Sequence, residues 1–164
     1  SGIDKGNLTL NDFLLCDFNA TVIAGEGRPS AETHLHAMIY QRSNETNCVL
    51  HTHSVATTVL SLLKKSDNKI VFHGYEMQKV IDGVTSHEQQ LEISILDNDQ
   101  DIPRLSQIAK SLWDDIKPAH GLIVRGHGLY SWGKTIHDAQ RHMEGWEFLL
   151  ECALHTTKLQ WEKS

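Results

Sequence analysis

The chain has no apolar run near the roughly 18–20 residues that a membrane-spanning helix needs, and no stretch of it reads as a signal peptide. Basic residues are not in excess: 15 Lys and Arg stand against 21 Asp and Glu, a formal net charge of −6. That balance argues against a general nucleic-acid binder and against a partner for anionic membranes. Cysteine is scarce. Cys16, Cys48 and Cys152 are odd in number, widely spaced and form no Cys-x-x-Cys, so they are expected to be buried small apolar residues in a reducing cytoplasm. The acidic stretch Asp97 to Asp101 lacks the Gly and terminal Glu of an EF-hand loop and reads as a solvated turn. Internal repeats, linkers and low-complexity segments are missing too. What remains, 164 residues with 40% hydrophobic and 22% charged content, is expected to be one α/β domain over residues 1–164. The chain opens Ser1-Gly2-Ile3-Asp4-Lys5-Gly6 with no initiator Met, and reads as lacking an N-terminal segment.

Histidine, in contrast, is abundant at 11 residues. The apolar run Cys48-Val49-Leu50 leads into His51-Thr52-His53-Ser54. In a strand, side chains at i and i+2 point the same way, so His51 and His53 are expected on one face. Two neutral imidazoles there make half of a zinc site, and Gly126-His127-Gly128 offers a third imidazole at another strand end. Three His ligands with an open fourth position are the catalytic kind of zinc site, although iron or manganese also accepts three imidazoles. His34-Leu35-His36 repeats the pattern in a helical stretch, where i and i+2 are about 200° apart, so that pair is expected to be ordinary helix residues that do not share a metal.

The remaining elements follow from periodicity and punctuation. Phe13 to Phe18 and Thr21 to Ile23 read as strands. Ser30 reads as the N-cap of a helix from Ala31 to Arg42 with Leu35, Met38 and Ile39 inward. A helix is expected over Val55 to Leu63 with Val59, Leu60 and Leu63 inward. Strands follow over Ile70 to Phe72 and Leu91 to Leu96, then a helix from Pro103 to Lys117 striped by Leu105, Ile108, Ala109, Leu112 and Ile116. Gly121 to Val124 and Gly128 to Trp132 are strands, and a last helix begins near Thr135. Glu76 falls just past a strand terminus, where α/β proteins often carry reactive groups. Ser1 to Gly6, with the Lys5 amine, reads either as an anion-holding turn or as a plain loop.

Ser1-Gly2-x-x-Lys5, Pro29-Ser30-Ala31-Glu32-Thr33, His51-Thr52-His53-Ser54, His73-x-Tyr75-Glu76-Met77 and Arg125-Gly126-His127-Gly128-Leu129-Tyr130-x-Trp132-Gly133 fall in the order seen in the zinc-dependent class II aldolase-like proteins. The resemblance covers essentially the whole chain. Glu-Met after the strand and Tyr-x-Trp-Gly after the last His resemble the family's dehydratases most. The resemblance implies a three-layer α/β/α domain with a mixed, mostly antiparallel central sheet. It also implies a homo-oligomer, a tetramer, with active sites near subunit interfaces and a small-molecule sugar phosphate as substrate. It assigns His51, His53 and His127 to Zn2+, Glu76 to acid/base catalysis, and Ser1, Gly2, Lys5 and Ser30 to the substrate phosphate. A carboxylate base at Glu76 is expected to be desolvated, with a raised pKa. The aldolases' Gly-Asn-x-Ser phosphate loop is absent. In those aldolases the acid/base matches Glu32, so Glu32 is the alternative catalytic residue, with a helix-capping first turn as its plainer role. Two other functions stay open, a class II sugar-phosphate aldolase and a non-catalytic binding module on the same fold.

Overall fold

The stretches in which Val, Ile and Leu alternate or run unbroken between turn residues become the sheet, and the longer periodic stretches become helices. The computed structural model describes residues 5–162. In chain order the strands are β1 (Leu15–Cys16), β2 (Val22–Ala24), β3 (Cys48–Thr52), β4 (Lys69–Phe72), β5 (Leu91–Leu96), β6 (Gly121–Val124) and β7 (Gly128–Gly133). The helices are α1 (Thr33–Arg42), α2 (Val55–Leu63), α3 (Ile102–Ile116) and α4 (Ile136–Trp161), with short 3-10 turns at Lys5–Asn7, Leu10–Asp12 and Glu76–Val80.

The contacts divide the chain into two units. The smaller takes the chain up to Asn44 together with Asp99–Leu112. It holds the antiparallel pair β1–β2, and α1 buries Leu35, Met38 and Ile39 as its spacing requires. The strand expected from Phe13 to Phe18 shrinks to two residues, and Phe13 and Phe18 remain exposed. Ser30 does not cap α1. The helix starts three residues later, behind Glu32, and the Ser30 hydroxyl accepts the Glu32 N–H at 3.3 Å within the preceding turn.

The larger unit, Glu45–Asn98 with the chain from Trp113 onward, is built on one five-stranded sheet in the order β3-β7-β6-β5-β4. Every pairing is antiparallel except β5 with β6, the mixed and mostly antiparallel sheet that the resemblance implies. All residues of β6 and β7 are buried, so both faces of the sheet's middle are covered. α4 packs along β7, β3 and β6, and α2 packs beside α4. Phe72, Ile81, Ile93, Ile123, Leu129, Trp146 and Leu149 fill the core between them. The Trp146 indole lies against Gly121, where any Cβ would collide with it, and donates Nε1–H to the Ala119 carbonyl at 3.2 Å. Truncating so large a buried ring to Ala would cost on the order of 3–5 kcal/mol.

Two expected helix faces are corrected. α2 occupies Val55–Leu63 as expected, yet Val59 and Leu63 are exposed, and Ala56, Thr57 and Ser61 are buried beside Leu60. In α3, Leu105 and Ala109 are buried, whereas Ile108 and Leu112 are exposed. The three cysteines are free and half-buried rather than buried.

Candidate metal centre

Three elements of the larger unit meet at one end of the sheet. β3 carries His51 and ends at Thr52, so His53 follows immediately. Opposite it in register, His51 pairs with Tyr130 of β7, and the two rings stack with centroids 4.0 Å apart. His127 sits in the tight turn from β6 to β7, closed by its own N–H donating to the Val124 carbonyl at 3.1 Å. Gly126 takes the third place of that turn at φ +63°, the left-handed region that glycine enters without cost.

The ligand atoms of His51, His53 and His127 all lie within 4.8 Å of one another, and the Nε2 atoms of His51 and His53 are 2.8 Å apart. Nitrogens on a tetrahedral zinc lie about 3.4 Å from each other, a value inside the spread seen here. The proton positions agree. A carbonyl only accepts, so His51 Nδ1, 2.9 Å from the Leu129 oxygen, must donate, which leaves Nε2 as a bare lone pair turned toward the cluster. Gly128 leaves room for this. A Cβ there would lie 2.8 Å from His53 Cδ2 and 2.9 Å from His51 Cε1, and would strike the Thr52 carbonyl oxygen. The donor set and its backbone cradle fit a divalent transition metal.

A residue to which the sequence assigned no role anchors the turn. Arg125 donates to Asp97 Oδ1 at 2.6 Å and to the Ser61, Lys64 and Asp67 carbonyls at 2.7, 2.6 and 3.1 Å. It thereby satisfies the last carbonyls of α2 while holding the base of the His127 turn. The Gly126 N–H adds a bond to Ser61 Oγ at 2.9 Å. Backbone carbonyls have no signature in a sequence, so only the position of Arg125 directly before Gly126-His127-Gly128 hinted at this.

Glu76 is not at this centre. It begins the 3-10 turn after β4. β3 and β6 run in the same direction, and β4 runs opposite to both. The C-terminal end of β4 therefore lies at the other end of the sheet from the histidines, and β3 and β4 are its two outer strands, four strand spacings or about 19 Å apart. The expected desolvation of Glu76 is corrected as well. Its carboxylate is exposed and paired with Lys79 and, at 3.6 Å, with His87 Nδ1. The hydrogen bond from Lys79 holds it below the usual carboxylate range. Ser30 and Glu32 belong to the smaller unit. Ser1 and Gly2 lie outside the described residues, as does the side chain of Lys5.

A family model described as "Class II Aldolase and Adducin N-terminal domain" matches residues 1–154; the chain belongs to that family. It is similar to the methylthioribulose-1-phosphate dehydratase of Yersinia enterocolitica, 51% identical over 94% of this chain and 73% of that one. It is also similar to that of Pectobacterium atrosepticum, 48% identical over 98% of this chain and 78% of the other. Among solved structures, an L-fuculose 1-phosphate aldolase shares the fold at TM-score 0.76, with 19% identity, covering 97% of this chain and 68% of that one. A second, from Thermus thermophilus, does so at 0.72 with 18% identity, covering 100% and 78%.

Proposed function

We infer that the chain is a hydro-lyase that dehydrates 5-methylthioribulose 1-phosphate to the 2,3-diketo-5-methylthiopentyl 1-phosphate, a step of methionine salvage in the cytoplasm. The observation that carries this reading is the three-imidazole cradle, with the His51 tautomer fixed by Leu129, in a chain about half identical to proteins named for that reaction. His51, His53 and His127 would hold Zn2+, leaving a coordination position for substrate. The bound ion would supply Lewis acidity, making the proton beside the substrate carbonyl removable by a carboxylate.

Glu76 is the group proposed to take the C3 proton. The C4 hydroxyl then leaves as water with a proton returned to it, and the resulting enol tautomerises to the diketone. One water is lost and nothing is oxidised or reduced. Because Glu76 and the histidines lie at opposite ends of one sheet, the working site is composite: Glu76 of one copy meets the metal centre of another. The protein is accordingly a homo-oligomer, which we take to be a tetramer. Exposed Val59, Leu63 and Trp161 along one groove between α2 and α4 support further burial on assembly. Docking against a second copy would also strip water from Glu76 and raise its basicity. Ser1, Gly2, Lys5 and Ser30 are proposed to bind the substrate phosphate.

The test is product analysis with the zinc-loaded protein and methylthioribulose 1-phosphate. A diketone phosphate, lost in Glu76→Gln, supports the reading. Two smaller carbonyl fragments would mean an aldolase and move the acid/base role to Glu32. Absence of turnover with metal bound would overturn the substrate.

A further inference from the structure

A second group of ligand-type side chains lies in the larger unit, outside the centre already described. Asp82, His120 and His142 each bring a ligand atom within 4.8 Å of the other two. They come from a loop after the 3-10 turn, the approach to β6, and the N-terminal third of α4. We propose that these three residues form a second site for a divalent transition metal, of the two-histidine, one-carboxylate kind.

His142 is fully buried. Its Nδ1 lies 2.8 Å from the Trp132 carbonyl oxygen and must donate to it. His51 is tied to Leu129 in the same way, from the same strand β7. In both cases a carbonyl fixes the tautomer and turns an unprotonated Nε2 toward a cluster, the usual support behind a ligating imidazole. At His142 that nitrogen accepts only a long bond, 3.2 Å, from the Asp82 N–H, and Asp82 Oδ2 stands 3.3 Å away.

His120 completes the group at some expense to the backbone. It holds φ +55°, a left-handed conformation uncommon outside glycine. Its carbonyl accepts Ser131 Oγ–H at 2.7 Å and the Trp132 N–H at 3.4 Å, which keeps it there. The ring packs over His142 with centroids 4.3 Å apart. His120 Nδ1 is buried without a hydrogen-bond partner, the kind of buried polar atom that an ion would satisfy. Burial pushes the His120 pKa down.

Arg141 shapes the carboxylate. Its guanidinium takes Asp82 Oδ1 at 2.8 Å and also reaches Asp138 Oδ1 at 3.3 Å and the Val80 carbonyl. Oδ2 is left toward His142. Burial opposes ionisation of Asp82, and the Arg141 hydrogen bond and charge favour it, with the net effect of lowering the carboxyl pKa. The same guanidinium repels a cation, so this site fills after the three-histidine centre. Two imidazoles and one carboxylate suit Zn2+, Fe2+, Co2+ or Ni2+ rather than Mg2+ or Ca2+. An ion there would tie the end of the turn that begins at Glu76 to α4 and to the approach to β6.

The test counts metal. The full chain, stripped by chelator, is titrated with Zn2+ alone by calorimetry, and bound zinc is measured by elemental analysis. The double variant His51→Ala/His53→Ala, or His127→Ala if the first melts early, removes the three-histidine centre and leaves the proposed one. Expected is a second, weaker equivalent in the native chain that survives in these variants. On that background, Asp82→Asn or His120→Asn should weaken the surviving equivalent about tenfold or more. With Co2+ as probe, each should also diminish the visible bands of the remaining ion. The proposal is overturned if the native chain takes up no second equivalent. It is equally overturned if the surviving equivalent is indifferent to Asp82→Asn and His120→Asn, which would place that ion elsewhere among the histidines.

Discussion

His51 and Glu76 each follow an apolar run of the same sheet, and they are held in opposite ways. His51 is stacked on Tyr130, tied through Nδ1 to the Leu129 carbonyl and flanked by a glycine that admits its neighbours. Glu76 stands in solvent on a 3-10 turn, balanced between Lys79 and His87. The first is organised before any ligand arrives, the second only by whatever docks on it. A metal centre gains from such pre-organisation, because each ligand ordered in advance costs nothing on binding. An acid/base group can instead be completed by assembly. The difference predicts where damage is severe and where it can be repaired from outside the chain.

The largest effect should come from the histidines. His53→Ala is expected to lower activity on the order of 10³-fold or more, with bound zinc lost from this centre. Glu76→Gln should cost about 10²–10⁴-fold with zinc content unchanged. If the site is composite, mixing the two inactive variants and allowing subunits to exchange should restore part of the activity, since some sites then pair an intact histidine centre with an intact Glu76. Mixed oligomers as inactive as their parents would place both groups in one chain and remove the contrast.

Gly128→Ala comes next. The added methyl would press on both imidazoles and on the Thr52 carbonyl, which backbone relaxation cannot fully relieve. We expect weaker zinc binding by calorimetry and a stability loss of about 1–3 kcal/mol in denaturant titration. Arg125→Met should have a smaller effect on zinc and act mainly on stability. The Ser61 and Lys64 carbonyls would lose a charged donor, costing about 1.5–3 kcal/mol. An unchanged melting curve would show that water replaces the guanidinium and that the His127 turn stands without it.

Much of this was legible in the chain itself. Strand parity brought out His51 and His53, and glycines on both sides brought out His127. Helix limits were clear where polar residues bounded an apolar stretch, as in α2, which the structure shows capped by Ser54 and ended at Lys64. Helix faces were less so. In Val55-Ala-Thr-Thr-Val-Leu-Ser-Leu-Leu63 nearly every side can be apolar, so periodicity could not say that Thr57 and Ser61 turn inward; Ser61 does so because it bonds Gly126. His142 could have been found. It lies three residues after Ala139 and four before Trp146, on the buried stripe of α4. Its partners Asp82 and His120 are far away in sequence, however, and only the fold brings them near. The same holds for Glu76, whose motif order matched the family while its distance from the histidines depends on strand direction.

The smallest effect tests the looser of the two regions through pH. Lys79 is the main reason the Glu76 carboxyl titrates below the usual range. A base must be ionised to accept a proton, so activity should fall on the acid side as Glu76 becomes protonated. With Lys79 present that fall is displaced to lower pH. Lys79→Met removes the hydrogen bond and the nearby charge, so the Glu76 pKa rises and the acid limb of the kcat/KM profile should move to higher pH. Activity on the plateau should stay nearly constant, because Lys79 is not proposed to touch substrate. A limb that does not move would mean that docking of a second copy already separates Lys79 from Glu76, and that the exposed ion pair belongs to the lone chain only.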